Sequence, residues 1–232
     1  MNTTNILAID TSGPVCSVAV LSGTSLRYEA RAINKLTHSR NLMPMVEEAL
    51  NKSGLDLQDL QYIAAVVGPG SFTGVRIGVA AAQGMARGLG IRCIAVNALA
   101  AMADSIVDKQ AVICPIRDAR GNQVYGAAFQ GQERLMPDAA LKLDAYLAQV
   151  SAFGDTLFFL GDGAVAYGEL IQNNLGDRAV IAPPHLMQPG AAAAAALALN
   201  LTDQAVEPGT LMPLYLRAPQ AVRLRAQMIQ HG

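Results

Sequence analysis

Tyr62-Ile63-Ala64-Ala65-Val66-Val67-Gly68-Pro69-Gly70-Ser71-Phe72-Thr73-Gly74 is the stretch on which the fold turns. Its first six residues form the continuous apolar run expected of a strand covered on both faces. Gly68 and Gly70 then make a sharp turn, and the residues from Thr73 to about Arg87 carry on as a helix stopped by Gly88 and Gly90. The unit is strand, Gly-x-Gly turn, helix.

Upstream, Ile6-Leu7-Ala8-Ile9 is a short apolar run ending at Asp10. Thr11-Ser12-Gly13-Pro14 turns the chain, and Val15 to Val20 returns as the second arm of a β-hairpin. A weakly alternating strand near Ser25–Ala32 is expected at a sheet edge. A helix starting near Thr37 or Ser39 places Leu42, Met45, Val46, Ala49 and Leu50 on one face, with Pro44 in its early turns and Gly54 at its end. Downstream, Ile91–Val96 reads as another buried strand, and Asn97 caps a helix expected to reach about Val107.

The same order then returns. Ala111–Ile116 is a strand reaching Asp118, Arg120-Gly121-Asn122 turns, and Gln123–Phe129 comes back. Asp144 is expected to cap a short helix. Thr156–Leu160 ends in Gly161-Asp162-Gly163, from which a helix runs to about Leu175. A strand at Ala179–Ala182, a helix at Pro189–Leu201 and a proline-punctuated tail close the chain. Strand–Asp–hairpin followed by strand–Gly-x-Gly–helix therefore occurs twice. The expected fold is α/β, with two similar lobes from an internal duplication: residues 1–104 and residues 105–232, the last helices packing back on the first lobe. The arrangement resembles the actin, hexokinase and heat-shock ATPase superfamily (ASKHA, ribonuclease H-like).

Composition narrows the function. With 52% hydrophobic and 15% charged residues, the 232-residue chain is globular rather than disordered. A net charge of −1 argues against gripping nucleic acid over the whole surface. The basic residues Arg217, Arg223 and Arg225 near the end leave two readings open, a solvated terminus or a contact with RNA or a partner. Cys16, Cys93 and Cys114 follow no metal or disulfide spacing, which fits a reducing, cytoplasmic setting. The polar start predicts no signal peptide. The most apolar tract, Ala191–Leu199, is about half of a membrane crossing, so a soluble chain is expected.

Each candidate site has two readings. Gly68 and Gly70 could bring backbone amides to an anion at a helix N-terminus, or simply permit a tight turn; no lysine follows in P-loop position. Asp10, Ser12 and Asp118 could hold a Mg²⁺–phosphate group across a cleft, or the two aspartates could close their own Asx-turns. Gly74, Gly78, Ala82 and Ala86 make a stripe of small residues suited either to the chain's own sheet or to a partner helix, beside Arg76, Gln83 and Arg87. His38, His185 and His231 are too scattered in sequence to suggest a ligand pair, and no metal site is expected.

Ile9-Asp10-Thr11-Ser12, the string Gly68–Gly78, Asp118-Ala119-Arg120 with Val124-Tyr125, and Tyr215-Leu216-Arg217 resemble the TsaB (YeaZ) family over essentially the whole chain. That resemblance implies an accessory subunit for threonylcarbamoyladenosine formation in tRNAs reading codons that begin with adenine. It implies as partners the catalytic paralogue TsaD, the ATPase TsaE and, through the complex, tRNA. Docking on TsaD would use the N-lobe helices, which makes Leu42, Met45, Gly74, Arg76, Gly78 and Ala82 interface candidates; self-pairing of the free subunit stays open. The paralogue carries Val-Asn-His-x-x-x-His where this chain has Val96-Asn97-Ala98 and Met102, so both metal-binding imidazoles are replaced and no cofactor is implied. Many family members have Gly-Glu-Val-Tyr where this chain reads Asn122-Gln123-Val124-Tyr125, one carboxylate fewer. The competing readings are a small-molecule kinase or nucleotide hydrolase of the same superfamily, and a metalloprotease. The first would need an acid or base that the Gly68–Gly78 segment does not offer, and the second the missing histidine pair.

Overall fold

The computed structural model describes residues 3–34, 37–108 and 110–217. The first half holds β1 (Asn5–Asp10), β2 (Cys16–Ser22), β3 (Ser25–Ala32), α1 (His38–Ser53), β4 (Tyr62–Gly68), α2 (Phe72–Leu89), β5 (Arg92–Asn97) and α3 (Ala98–Asp104). The second holds β6 (Val112–Asp118), β7 (Gln123–Gln130), β8 (Glu133–Lys142), α4 (Leu143–Val150), β9 (Leu157–Leu160), α5 (Asp162–Leu175), β10 (Ala179–Ile181), α6 (Pro184–Met187) and α7 (Ala191–Leu199).

The two five-stranded sheets run β3-β2-β1-β4-β5 and β8-β7-β6-β9-β10, one order used twice. In each, an antiparallel three-strand meander continues into strands parallel to its first member. This is the doubled, actin-like α/β architecture.

The periodicities account for the layers. Leu42, Met45, Val46, Ala49 and Leu50 of α1 join Val75, Val79, Ala82 and Ala86 of α2 in one cluster with Leu7, Ile9, Ile63 and Ala65 of the first sheet. Ile6, Ala8, Ala64 and Val66 point the opposite way, as alternation along a strand demands, and meet Ala191, Ala194, Ala195 and Ala198 of α7. Helix α7 thus covers the first sheet although it follows the second sheet in the chain; its alanines let the helix lie close to the strands. The second sheet packs Ile116, Val124, Leu143, Tyr146, Phe159 and Ile171 into a separate cluster.

Some expectations need adjustment. Helix α3 ends at Asp104 rather than near Val107. Lys142, not Asp144, is the N-cap of α4; Asp144 sits in the first turn, where its charge suits the helix dipole. Helix α7 begins at Ala191, after Gly190. Strand β8 was not expected, because Pro137 interrupts its pattern; it is the edge of its sheet, where proline is tolerated. Among the described residues, no helix is long and apolar enough to cross a membrane.

Candidate functional site

The strand ends of the two halves meet at a cleft of about 730 Å³, lined among others by Ser12, Gly13, His38, Gly70, Asp118 and Asp162. Hairpin β1–β2 supplies Asp10, which is buried. Its Oδ1 accepts from the backbone N–H of Ser12 at 2.8 Å and from the Ser12 hydroxyl at 2.5 Å, an Asx-turn held twice. In the second hairpin, Asp118 Oδ1 accepts from the Arg120 N–H at 2.8 Å and from the Tyr167 hydroxyl at 2.8 Å. Both aspartates therefore shape their own turns. Burial, and then the bond to Asp118, push the Tyr167 hydroxyl up.

The glycines serve close approach by the chain itself. Gly68 has φ +115°, and a Cβ there would stand 2.7 Å from the Leu214 carbonyl oxygen. A Cβ at Gly70 would collide with the Ser12 carbonyl, which instead accepts from the Ser71 N–H at 2.7 Å. Ser71 caps α2 by accepting from the Gly74 N–H at 3.2 Å. The second Gly-x-Gly behaves likewise: Gly161 has φ +104°, and a Cβ there would strike the Ile116 carbonyl. Backbone packing thus accounts for these glycines without a bound anion.

Arg117 occupies the centre, and reading the sequence for motifs missed it. It is 6% exposed. From the end of β6 it reaches the first hairpin: Nη2 donates to Ser12 Oγ at 2.9 Å and lies 3.5 Å from Asp10 Oδ2. Nη1 lies 3.4 Å from Asp162 Oδ1, at the start of α5. Asp162 Oδ2 also accepts from the Asp118 N–H at 3.3 Å. Burial pushes the Asp162 carboxyl above the usual carboxylate range, with the Arg117 guanidinium pulling the other way. One signal could have found Arg117: a lone cation beside an apolar strand, at the place where the first copy has Ile9.

The start of α3 is dry. Asn97 caps α3 by accepting from the Ala100 N–H at 2.8 Å. Ala98 and Met102 behind it are 2% and 3% exposed. A Cβ on Gly161 would sit 3.3 Å from Met102 Sδ, so the two halves pack at this point. Among the described residues, no group of three or more His, Cys, Asp or Glu is placed to hold a metal ion.

The interface candidates need a correction in one respect. Leu42, Met45, Gly74, Gly78 and Ala82 are all buried within this chain. The small stripe faces its own sheet, with the Gly78 Cβ position only 2.5 Å from Thr11 Oγ1. Of the six, Arg76 is exposed. Its guanidinium carbon lies 3.9 Å from the Phe72 ring centroid, and Nε donates to the Tyr215 hydroxyl at 2.8 Å. That contact pins the chain's last described stretch, whose Leu214 N–H donates to the Val67 carbonyl at 2.7 Å. Arg223, Arg225 and His231 lie outside the described residues.

The chain is similar to known proteins over most of its length. A family model described as TsaD, tRNA N6-adenosine threonylcarbamoyltransferase, matches residues 32–223. The tRNA threonylcarbamoyladenosine biosynthesis protein TsaB of Bacillus subtilis is 34% identical over 222 residues, 93% of this chain and 95% of the relative. TsaB of Haemophilus influenzae is 35% identical over 194 residues, 75% of this chain and 79% of the relative. The solved structure of YeaZ from Pseudomonas aeruginosa superposes with a TM-score of 0.74 at 29% identity, covering 92% of this chain and all of that one. With full-length likeness at this level and the doubled fold in common, the chain belongs to the TsaB family.

Proposed function

We propose that the chain is a non-catalytic subunit of tRNA threonylcarbamoyladenosine biosynthesis that binds and supports the catalytic paralogue TsaD and, with it, TsaE, meeting tRNA through the complex. The observation that carries this reading is the start of α3. Ala98 and Met102 are buried apolar side chains, at the two positions where the family resemblance implies imidazoles in the paralogue. A methyl group has no lone pair to give, and a single thioether is a poor ligand for a hard or borderline ion. The cleft supports the same reading: its two aspartates are engaged in their own turns, and a guanidinium fills the space between Asp10 and Asp162.

Docking on TsaD uses the outward faces of α1 and α2. On α1 Arg40, Met43, Pro44 and Glu47 are exposed, and on α2 Arg76, Ala80, Gly84 and Arg87. A Cβ at Gly84 would meet nothing within 4 Å. The outer side of α2 therefore offers a close approach to another helix, as its inner side does to the sheet.

The test is purified full-length chain mixed with TsaD and assayed separately for ATP turnover. A stable complex and no turnover by the isolated chain are expected. Turnover by the chain alone, or failure to associate with TsaD, would overturn the reading.

A further inference from the structure

The two hairpins are copies of one another, yet they differ in the residue before the strand-terminal aspartate: Ile9 in the first and Arg117 in the second. Ile9 is wholly buried in the core of its own lobe. Arg117 leaves its lobe. We propose that Arg117 is a built-in cationic latch that holds the two lobes closed, standing where a bound cation would otherwise draw the carboxylates of both lobes together.

The contacts fit that role. One end of the guanidinium, Nη1, is held by Asp162 of the second lobe at 3.4 Å. The other, Nη2, is given to Ser12 at 2.9 Å and Asp10 at 3.5 Å in the first. A planar fork can serve two such sites at once; an ammonium on a flexible stem would have to choose between them. The first lobe is shaped to admit it. A Cβ at Gly13 would fall inside the guanidinium, and Gly13 does not adopt the left-handed backbone that would itself call for glycine. Its missing side chain is the space that Arg117 fills. His38, from α1, lies against the Gly13 carbonyl oxygen at 2.9 Å through Nε2, fixing that loop from behind. The charged groups around the guanidinium are thus Asp10 from β1, Asp162 from α5 and, through its backbone N–H on Asp162, Asp118 from β6. This inference stands whether or not the proposed partnership with TsaD is correct.

The experiment measures the distance between lobes in the full chain. Spin labels go on Arg40→Cys in α1 and Asn173→Cys in α5, both exposed positions. Cys16, Cys93 and Cys114 are buried, and burial pushes their thiols up to about 11, 11 and 12, so they stay unlabelled. The parent chain should give one narrow distance distribution. Arg117→Met should broaden it and shift it to longer distances, and Asp10→Asn should do so more weakly. Gly13→Ala leaves every charge in place and only evicts the guanidinium; it should reproduce the shift, and it decides the matter if Arg117→Met does not fold. Folded variants with the parent distribution would overturn the latch, even if they melt earlier, because Arg117 would then be packing and nothing more.

Discussion

The two lobes share a strand order, an aspartate at the end of the first strand and a Gly-x-Gly turn, but they use these parts differently. In the first lobe both faces of the sheet are covered, one by α1 and α2 and the other by α7, and Asp10 is buried with its turn braced by Ser12. In the second lobe Asp118 is tied to Tyr167 of α5, a helix whose backbone leaves helical geometry at that residue, with φ −123°. The first lobe supplies the anionic socket, and the second supplies the cation that enters it. Two copies of one unit can diverge at a single position and become complementary halves of a contact that neither could make alone.

The comparison is tested most severely at that position. Arg117→Met should destabilise the chain by ~3–5 kcal/mol, because it leaves Asp10 buried without its counter-charge; chemical denaturation of parent and variant measures this. A loss below about 1 kcal/mol would mean that the contact behaves as a surface pair and that the lobes are less complementary than described.

Next in size is a contrast between the two sides of α2. Gly78→Ala puts a methyl against Thr11 and should cost ~1–3 kcal/mol. Gly84→Ala meets open space and should gain up to ~1 kcal/mol in the free chain through helix propensity. Larger residues at 84 should nevertheless weaken co-purification with TsaD, while Gly78→Ala should weaken it only as far as it unfolds the chain. Equal effects on association at matched stability would erase the distinction between the inner and outer sides.

A smaller change is expected in the second hairpin. Asp118→Ala should cost ~0.5–1.5 kcal/mol for its lost hydrogen bonds and leave tRNA modification nearly intact. Modification lost from a complex that still assembles would give Asp118 a role beyond its turn.

The smallest effect is one of pH. Because burial raises the Asp162 carboxyl in the folded chain, the folded state binds its proton more tightly than the unfolded state does. The stability from that group is complete below the ordinary carboxylate value and fades as pH rises through the raised titration. Asp162→Asn should remove this fade, so the urea midpoint of the variant should gain on that of the parent as pH rises from acid to neutral. A variant that instead loses ground to the parent as pH rises would show that Arg117, rather than burial, governs this carboxyl.

The sequence reading reached what local rules control. Tyr62–Val67 had to be a covered strand because every residue in Ile63–Val67 is apolar, and Gly68 and Gly70 marked a turn that no side chain would permit. For Asp10 and Asp118 an Asx-turn was one of two readings, and the structure shows their carboxylates accepting from backbone donors two residues on. The facing of the small stripe was not legible in the same way, since Gly74, Gly78 and Ala82 suit a sheet and a partner helix equally well. What settles it is Thr11, carried to α2 by a strand more than sixty residues away, whose hydroxyl donates to the Gly74 carbonyl at 2.7 Å across 63 residues of chain.

Sequence by itself determined the strands other than β8, most of the turns, the helical faces and the repetition of the unit, because each of these depends on neighbours within a few residues. Tertiary structure alone decided that a cation from one copy would meet a carboxylate from the other: Arg117 and Asp10 stand 107 residues apart. An ion pair leaves no periodicity in a sequence. Its partners are named only when folding brings the two strand ends to one cleft, and there the cost of an unpaired buried charge selects which of them must touch.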